Sequence, residues 1–329
     1  MKIALAGKPG CGRSTLFKAL AGSPDADTTR PLTVDVPDER LDLLEEIHEP
    51  EKKTHARVIF TDVPSPALAP RNLALLRNAA VLAVVLDNYA LGDVTGDFLE
   101  IDSELVLADM ALCEKRVERL VKEGSGSSRE AGLLRELLSR MEESRPLRVL
   151  ELDQDRKDIL SPYSLLSLKP LLVISNRMGK PVTQEEDLAV LVREHGGRLL
   201  EADAGFEMEL AEIDEDERGP FLESMGYRSG SLSRIIRAAY EALDLIVFFT
   251  VGSDEVRAWP VRRGATAVEA AGAIHSDMAR GFIRAVVVPW EVYSATPDRN
   301  LLKERGQLGV EGKDYVVSDG DVIEIRFSV

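Results

Sequence analysis

Two cysteines in 329 residues, Cys11 and Cys113, are too few for a disulfide framework, and a reducing compartment is expected. Aromatic residues make up only 5% of the chain, so its cores must be built from aliphatic side chains. Long apolar runs are also missing. The longest, 79–86, is 8 residues, far below the ~18 that would suggest a membrane span. The start MKIALAGKPG is too short in its apolar part for a signal peptide. Positive charge is in deficit: 41 Lys+Arg against 57 Asp+Glu gives −16, which argues against a general nucleic-acid coat protein. There is no paired-carboxylate or Cys/His constellation of the kind a catabolic enzyme would need. The expectation is a soluble, cytoplasmic, monomeric protein with no membrane partner, long enough for two or three domains.

Short apolar runs alternate with helical stretches. KIALA (2–6), RVIFT (57–61), VLAVVL (81–86) and LLVIS (171–175) read as buried strands without the alternation of a half-exposed sheet. Separated by helices, they imply parallel β/α units, an α/β fold. Residues 103–123 and 129–143 are charged, with leucines and valines at helical spacing, and GSGSS (124–128) interrupts them as a hairpin turn would. The segment 101–168 is therefore read as an inserted antiparallel helical arm, with two ordinary covering helices and a long loop as the alternative. After a helix over 231–243 the texture changes. A hairpin is expected at 248–261, a short helix at 267–275, and strand, Asp-Gly turn, strand at 315–329. Between 248 and 329 there are 10 Lys+Arg and 12 Asp+Glu, net −2, which leaves −14 on the rest. The tail is the less repulsive surface for an anionic partner, with Arg257, Arg262, Arg263, Arg280 and Arg284 as candidate contacts, a solvated basic face being their default reading.

GKPGCGRST, residues 7–15, differs in one position from the phosphate-binding pattern G-x-x-x-x-G-K-[ST]. Gly7, Gly12 and Ser14 are in place, and Arg13 stands where lysine is demanded. A strand precedes the loop and a helix (14–21) follows. Lys8, Pro9, Gly10, Cys11 and Thr15 complete the loop, whose backbone N–H groups (Pro9 has none) can then turn toward phosphate oxygens, aided by the helix N-terminus. Arg13 keeps the charge in another shape: it either grips phosphate in two-point fashion or is too bulky and points outward. Ser14 is placed to ligate magnesium. Cys11 lies in the crown, where amides could lower its thiol pKa, or it simply fills space.

Several segments together resemble the YchF/Obg-like ATPases of the translation-factor GTPase class. They are GKPGCGRSTLFKALAG, VPDERLDLL (36–44), EKRVERLVK (114–122), ELAEIDEDER (209–218), 233–252, VRAWPVRRGATAVEAAGAIHSDMARGFIRA (256–285) and GVEGKDYVVSDGDVIEIRF (309–327). The resemblance covers essentially the whole chain. It implies a Ras-like P-loop domain (1–100 and 169–243), a coiled-coil arm (101–168) and a C-terminal β-grasp TGS domain (244–329). It also implies a purine nucleotide, ATP or GTP, bound with Mg2+, and association with ribosomes or RNA through the TGS domain.

The departures from that family fall on the chemistry. The D-x-A-G segment is represented by Asp62 followed by Pro64 and Ser65, and Pro64 has no N–H to offer. Asp62 remains a candidate magnesium residue beside Ser14, acting through water, with a strand-end Asp that caps a turn as the equal alternative. Thr28 and Thr29 are candidates for the metal-binding threonine. The family's hydrolytic histidine has no counterpart between His55 and His195, and His48 and His55 read as surface residues. In the base-recognition segment Asn176 is followed by Arg177, Met178 and Gly179, with glycine where a carboxylate belongs; AGFE (204–207) stands for the third base segment. Asn176 reads as a tether between loops, with Met178 beside the base. The expected function is a divergent nucleotide-binding protein, regulatory and translation-associated, with slow or absent hydrolysis and no assignable catalytic residue. The alternative is a nucleotide-independent scaffold acting through the TGS domain and arm.

Overall fold

The computed structural model describes residues 1–89, 92–177, 185–225 and 230–328. Among them twelve strands form two six-stranded sheets. In chain order they are β1 (Lys2–Ala6), β2 (Leu32–Asp35), β3 (Lys52–Thr54), β4 (Arg57–Asp62), β5 (Val81–Asp87) and β6 (Leu171–Asn176). The later strands are β7 (Gly197–Ala202), β8 (Leu245–Val251), β9 (Glu255–Arg262), β10 (Phe282–Val288), β11 (Gly309–Glu311) and β12 (Val322–Phe327). The chain divides into two compact units, Met1–Val34 with Ile59–Ala239, and Asp35–Val58 with Tyr240–Val329.

In the first unit the sheet order is β2-β4-β1-β5-β6-β7. β1 runs parallel to both β4 and β5, and β5, β6 and β7 are parallel in turn. β5 and β6 are buried almost end to end, as strands covered on both faces must be. Their apolar runs have no polar face because neither face meets water. The register Leu5↔Asp62 sets the end of β4 beside the end of β1. That pairing places the residues after both strands at one edge of the sheet, where α/β folds bind ligands.

One helix, Val94–Lys122, serves both the sheet and the arm. Asp93 caps its start by accepting from the Gly96 N–H at 2.9 Å. Val94, Phe98, Ile101 and Leu105 pack into the core of the sheet. Further on, Val106, Cys113 and Leu120 join Ala131, Leu134, Leu137 and Met141 from the helix Arg129–Met141. Ser128 caps that second helix, accepting from Ala131 N–H at 3.2 Å. Arg116 pairs with Glu130 at 2.7 Å across the two helices, which fixes them as antiparallel neighbours. A buried carboxylate fastens the arm to the chain that returns from it: Asp109 accepts from Leu166 N–H, Ser167 N–H, the Ser167 hydroxyl and Arg77.

In the second unit the order is β11-β10-β12-β8-β9-β3. β8 and β9 form the antiparallel hairpin anticipated at 248–261. The helix Ala267–Ile274 begins with a capping box of Thr266 and Glu269 and lays Ala267, Ala270 and Ala271 on the core. The expected strand ahead of the Asp-Gly turn is not one: Val316 makes only an isolated bridge to Thr266. Tyr315 instead donates to Asp321, which also takes the Ser318 N–H, so the segment closes on itself as a turn. The stretch Asp35–Val58 supplies the helix Glu39–His48 and the edge strand β3. Arg40 from that helix pairs with Asp38 and Asp319 at 2.9 Å each and lies 5.2 Å above the Phe249 ring.

Candidate functional site

The glycine loop leaves β1 and enters the helix Arg13–Leu20. Gly10 and Gly12 have φ of 85° and 86°, the left-handed region that favours glycine. A Cβ on Gly12 would collide with the Asn176 side-chain amide, and one on Gly7 would lie 2.6 Å from Cys11 Sγ and the Val85 carbonyl. Gly12 is therefore required by torsion and by close approach together, and Gly7 by close approach. Lys8, Pro9, Gly10, Cys11, Gly12, Arg13, Ser14, Thr15, Ser65, Tyr89, Asn176, Ala204 and Gly205 line a cleft of about 300 Å3. Every one of these groups lies at or beyond the C-terminal end of a parallel strand.

Three strand ends hold the loop in shape. Asn176, at the end of β6, donates to the Cys11 carbonyl at 2.9 Å and accepts the Ala204 N–H at 3.0 Å. It is buried and tethers the loop to the turn after β7. The Tyr89 hydroxyl, beyond β5, donates to the Gly10 carbonyl. The Ser65 hydroxyl, beyond β4, donates to the Gly7 carbonyl at 3.0 Å. Neither Tyr89 nor the Ser65 side chain is conspicuous in the sequence, because nothing in a lone tyrosine or serine marks it as a loop clamp.

Arg13 does not point outward. Its side chain is 12% exposed and turns inward to pair through Nε with Asp62 Oδ1, on a carboxylate 4% exposed. Its Nη1 donates to Ser65 Oγ at 3.0 Å. Ser14 donates from Oγ to the other Asp62 oxygen at 2.8 Å. Burial pushes the Asp62 carboxyl up, and Arg13 and Ser14 pull against that. Lys8 is committed as well: its amine meets Asp97 at 2.6 Å and Glu100 at 2.5 Å, and those hydrogen bonds raise its pKa.

Ser14 and Asp62, the residues that would hold magnesium, are thus together. Their arrangement does not fit the ion, however. Mg2+ asks for oxygen ligands in near-octahedral array, whereas Asp62 Oδ2 already accepts from Ser14 and Oδ1 lies against the Arg13 guanidinium in an ion pair that makes no aligned hydrogen bond.

Cys11 is buried against Gly7, and burial pushes its thiol up rather than down, so it fills space. Thr28 and Thr29 do not line the cleft; Thr29 is bonded to Asp27 through its hydroxyl at 2.6 Å. His48 and His55 are half-buried rather than on the surface, and His48 meets the Tyr293 hydroxyl at 2.8 Å. Met178 and Gly179 lie outside the described residues. Among the described residues no group of three or more His, Cys, Asp or Glu is placed to hold a metal, and no helix is long and apolar enough to cross a membrane.

A glycine loop between an inner parallel strand and a helix, at the C-terminal ends of the strands of a sheet of this order, is the architecture of a P-loop NTPase. A family model, YchF-GTPase_C, "Protein of unknown function (DUF933)", matches residues 245–328. The chain is 35% identical over 361 residues to the "Ribosome-binding ATPase YchF" of Haemophilus influenzae, covering 100% of this chain and 99% of the relative. It is 33% identical over 365 residues to the Bacillus subtilis protein of the same description, with 99% and 98% covered. The solved structure of the Schizosaccharomyces pombe YchF GTPase superposes with a TM-score of 0.90 at 24% identity, over 99% of this chain and 97% of that one. The chain belongs to the YchF family.

Proposed function

We propose that this protein is a divergent YchF-type purine-nucleotide-binding protein that associates with the ribosome and hydrolyses nucleotide slowly or not at all. The observation that carries the nucleotide half is the loop itself. Gly10 and Gly12 hold left-handed torsions, and Asn176, Tyr89 and Ser65 each contribute a hydrogen bond that keeps the crown in place. The first N–H groups of the helix Arg13–Leu20 have no partner within the helix, and they meet the cleft with the positive end of its dipole. ATP or GTP would lay its phosphates there.

Turnover is weak in this reading because the stabilisers are engaged elsewhere or missing. No histidine lines the cleft among the described residues, and Ser65, which stands where the family's glycine would, spends its hydroxyl on the Gly7 carbonyl. The absence of even one preorganised donor costs about 10²–10³ in rate. Ribosome association rests on the two bacterial relatives whose names state it. The segment 248–329, net −2 and read within the TGS domain, is the surface for it; the second unit as a whole carries −8. Of the five candidate arginines, Arg263 pairs with Asp244, Arg280 with Asp277, and Arg257 lies 3.8 Å over Trp259. Arg262 and Arg284 are exposed and are the better RNA contacts.

A second reading, a scaffold that binds no nucleotide, draws support from one fact: both cations of the loop, Lys8 and Arg13, are already paired with carboxylates. Titration calorimetry with ATP, GTP, ADP and GDP separates the two. Saturable heat that vanishes in a Gly12→Val variant supports nucleotide binding. A flat trace with all four leaves the scaffold. Co-sedimentation with ribosomes tests the other half, and should weaken with salt and in an Arg262→Glu, Arg284→Glu double variant of the full chain.

A further inference from the structure

We infer that the Arg13 guanidinium occupies the electrostatic role of the magnesium ion, so that this loop binds nucleotide without a divalent metal. The inference rests on the nucleotide-binding reading above and deepens it. Three contacts converge on it. Asp62 Oδ1 faces Arg13 Nε, Asp62 Oδ2 accepts from Ser14 Oγ at 2.8 Å, and Arg13 Nη1 is held by Ser65 Oγ at 3.0 Å. Ser65 is itself anchored on the Gly7 carbonyl at 3.0 Å, so the guanidinium is fixed from both sides.

The charge balance explains why a metal finds no free carboxylate here. In a metal-bound site of this kind the ion neutralises the aspartate and the phosphates together. Here a permanently charged, planar cation neutralises a nearly dry carboxylate. A divalent ion entering between Ser14 and Asp62 would have to expel the guanidinium or sit against it at short range, where like charges in a poorly screened site repel strongly. Arg13 also lines the cleft, so the group that quenches Asp62 faces the space a phosphate would fill. A lysine could not do both: its single point charge lacks the fork that spans Asp62 and Ser65.

The test is the affinity of the full-length protein for ADP and GDP, measured by calorimetry in Mg2+ and again in EDTA. Wild type is expected to give dissociation constants that agree within about twofold, well inside the tenfold that corresponds to about 1.4 kcal/mol. Arg13→Lys, whose single ammonium can be displaced from Asp62 by the ion because it lacks the hold on Ser65, is expected to bind at least about tenfold more tightly with Mg2+ than in EDTA. Thermal melting of the variant checks that it is folded. Wild-type binding that weakens tenfold or more in EDTA overturns the inference while leaving the nucleotide reading intact. No binding in either buffer overturns both.

Discussion

Ser14 Oγ donates to Asp62 Oδ2 at 2.8 Å, and the same carboxylate pairs through its other oxygen with Arg13, the residue immediately before the serine. Two consecutive loop residues thus close on one strand-end carboxylate. The parallel register Leu5↔Asp62 makes this reachable, since it sets β4 one strand spacing from the loop.

Removing the cation should cost more than changing its shape. Arg13→Ala leaves Asp62 as an unpaired, nearly buried carboxylate, and breaking such a pair from one side is worth about 3–5 kcal/mol. Arg13→Lys retains a charge and should lose less than half of that. Urea unfolding of the first unit, followed by a probe in the sheet, ranks the two variants against wild type.

Gly12 carries a double requirement. An alanine there must adopt a φ of 86°, at a cost of about 1–2 kcal/mol, and its methyl must displace the Asn176 amide that holds the Cys11 carbonyl. Gly12→Ala is expected to lose nucleotide binding while the far-UV circular dichroism stays native. Gly22, with a φ of 64° but open space around it, is the control: Gly22→Ala should leave binding unchanged.

Both thiols should be silent in the native protein. Cys11 and Cys113 are buried, and burial pushes Cys11 up and Cys113 up to about 12, so neither presents a thiolate at neutral pH. A disulfide exchange reagent should titrate neither in buffer and both in denaturant. Fast reaction of one thiol in buffer would mean that the crown of the loop opens.

The arm depends on Asp109. It is fully buried and accepts four hydrogen bonds, one of them from Arg77. Asp109→Asn puts a donor against the Ser167 N–H or the Arg77 guanidinium and removes the countercharge, which should cost about 3–5 kcal/mol. Limited proteolysis should then cut first between residues 143 and 168, where the chain returns from the arm.

The strands that organise the site were legible where they are buried on both faces. β1, β5 and β6 appear in the sequence as apolar runs and lie where those runs are, whereas β4 alternates buried Val58, Phe60 and Asp62 with half-buried Ile59 and Thr61. β2 and β7 are the sheet's edges, half-buried and carrying Thr33, Arg198 and Glu201, so their sequences show no run to read. The glycine positions of the loop were plain from the spacing of Gly7, Gly12 and Ser14. The direction of Arg13 was not, because its partner is 49 residues away and is brought near only by strand pairing. The same holds for Lys8, whose carboxylates sit on the long helix of the arm. Asp35–Val58 reads as part of the nucleotide domain by position, yet its strand β3 pairs with β9, a contact no local pattern announces.

Amide hydrogen exchange reports on the loop itself. With saturating ADP, peptides spanning residues 7–20 should exchange more slowly, since the N–H groups of the loop and of the first turn of the helix Arg13–Leu20 would be bonded to phosphate. Peptides from β8 to β12 serve as the internal reference and should be unchanged. Protection confined to the loop is the predicted result. Unchanged exchange over 7–20 at saturating ADP would contradict the claim that this loop binds nucleotide.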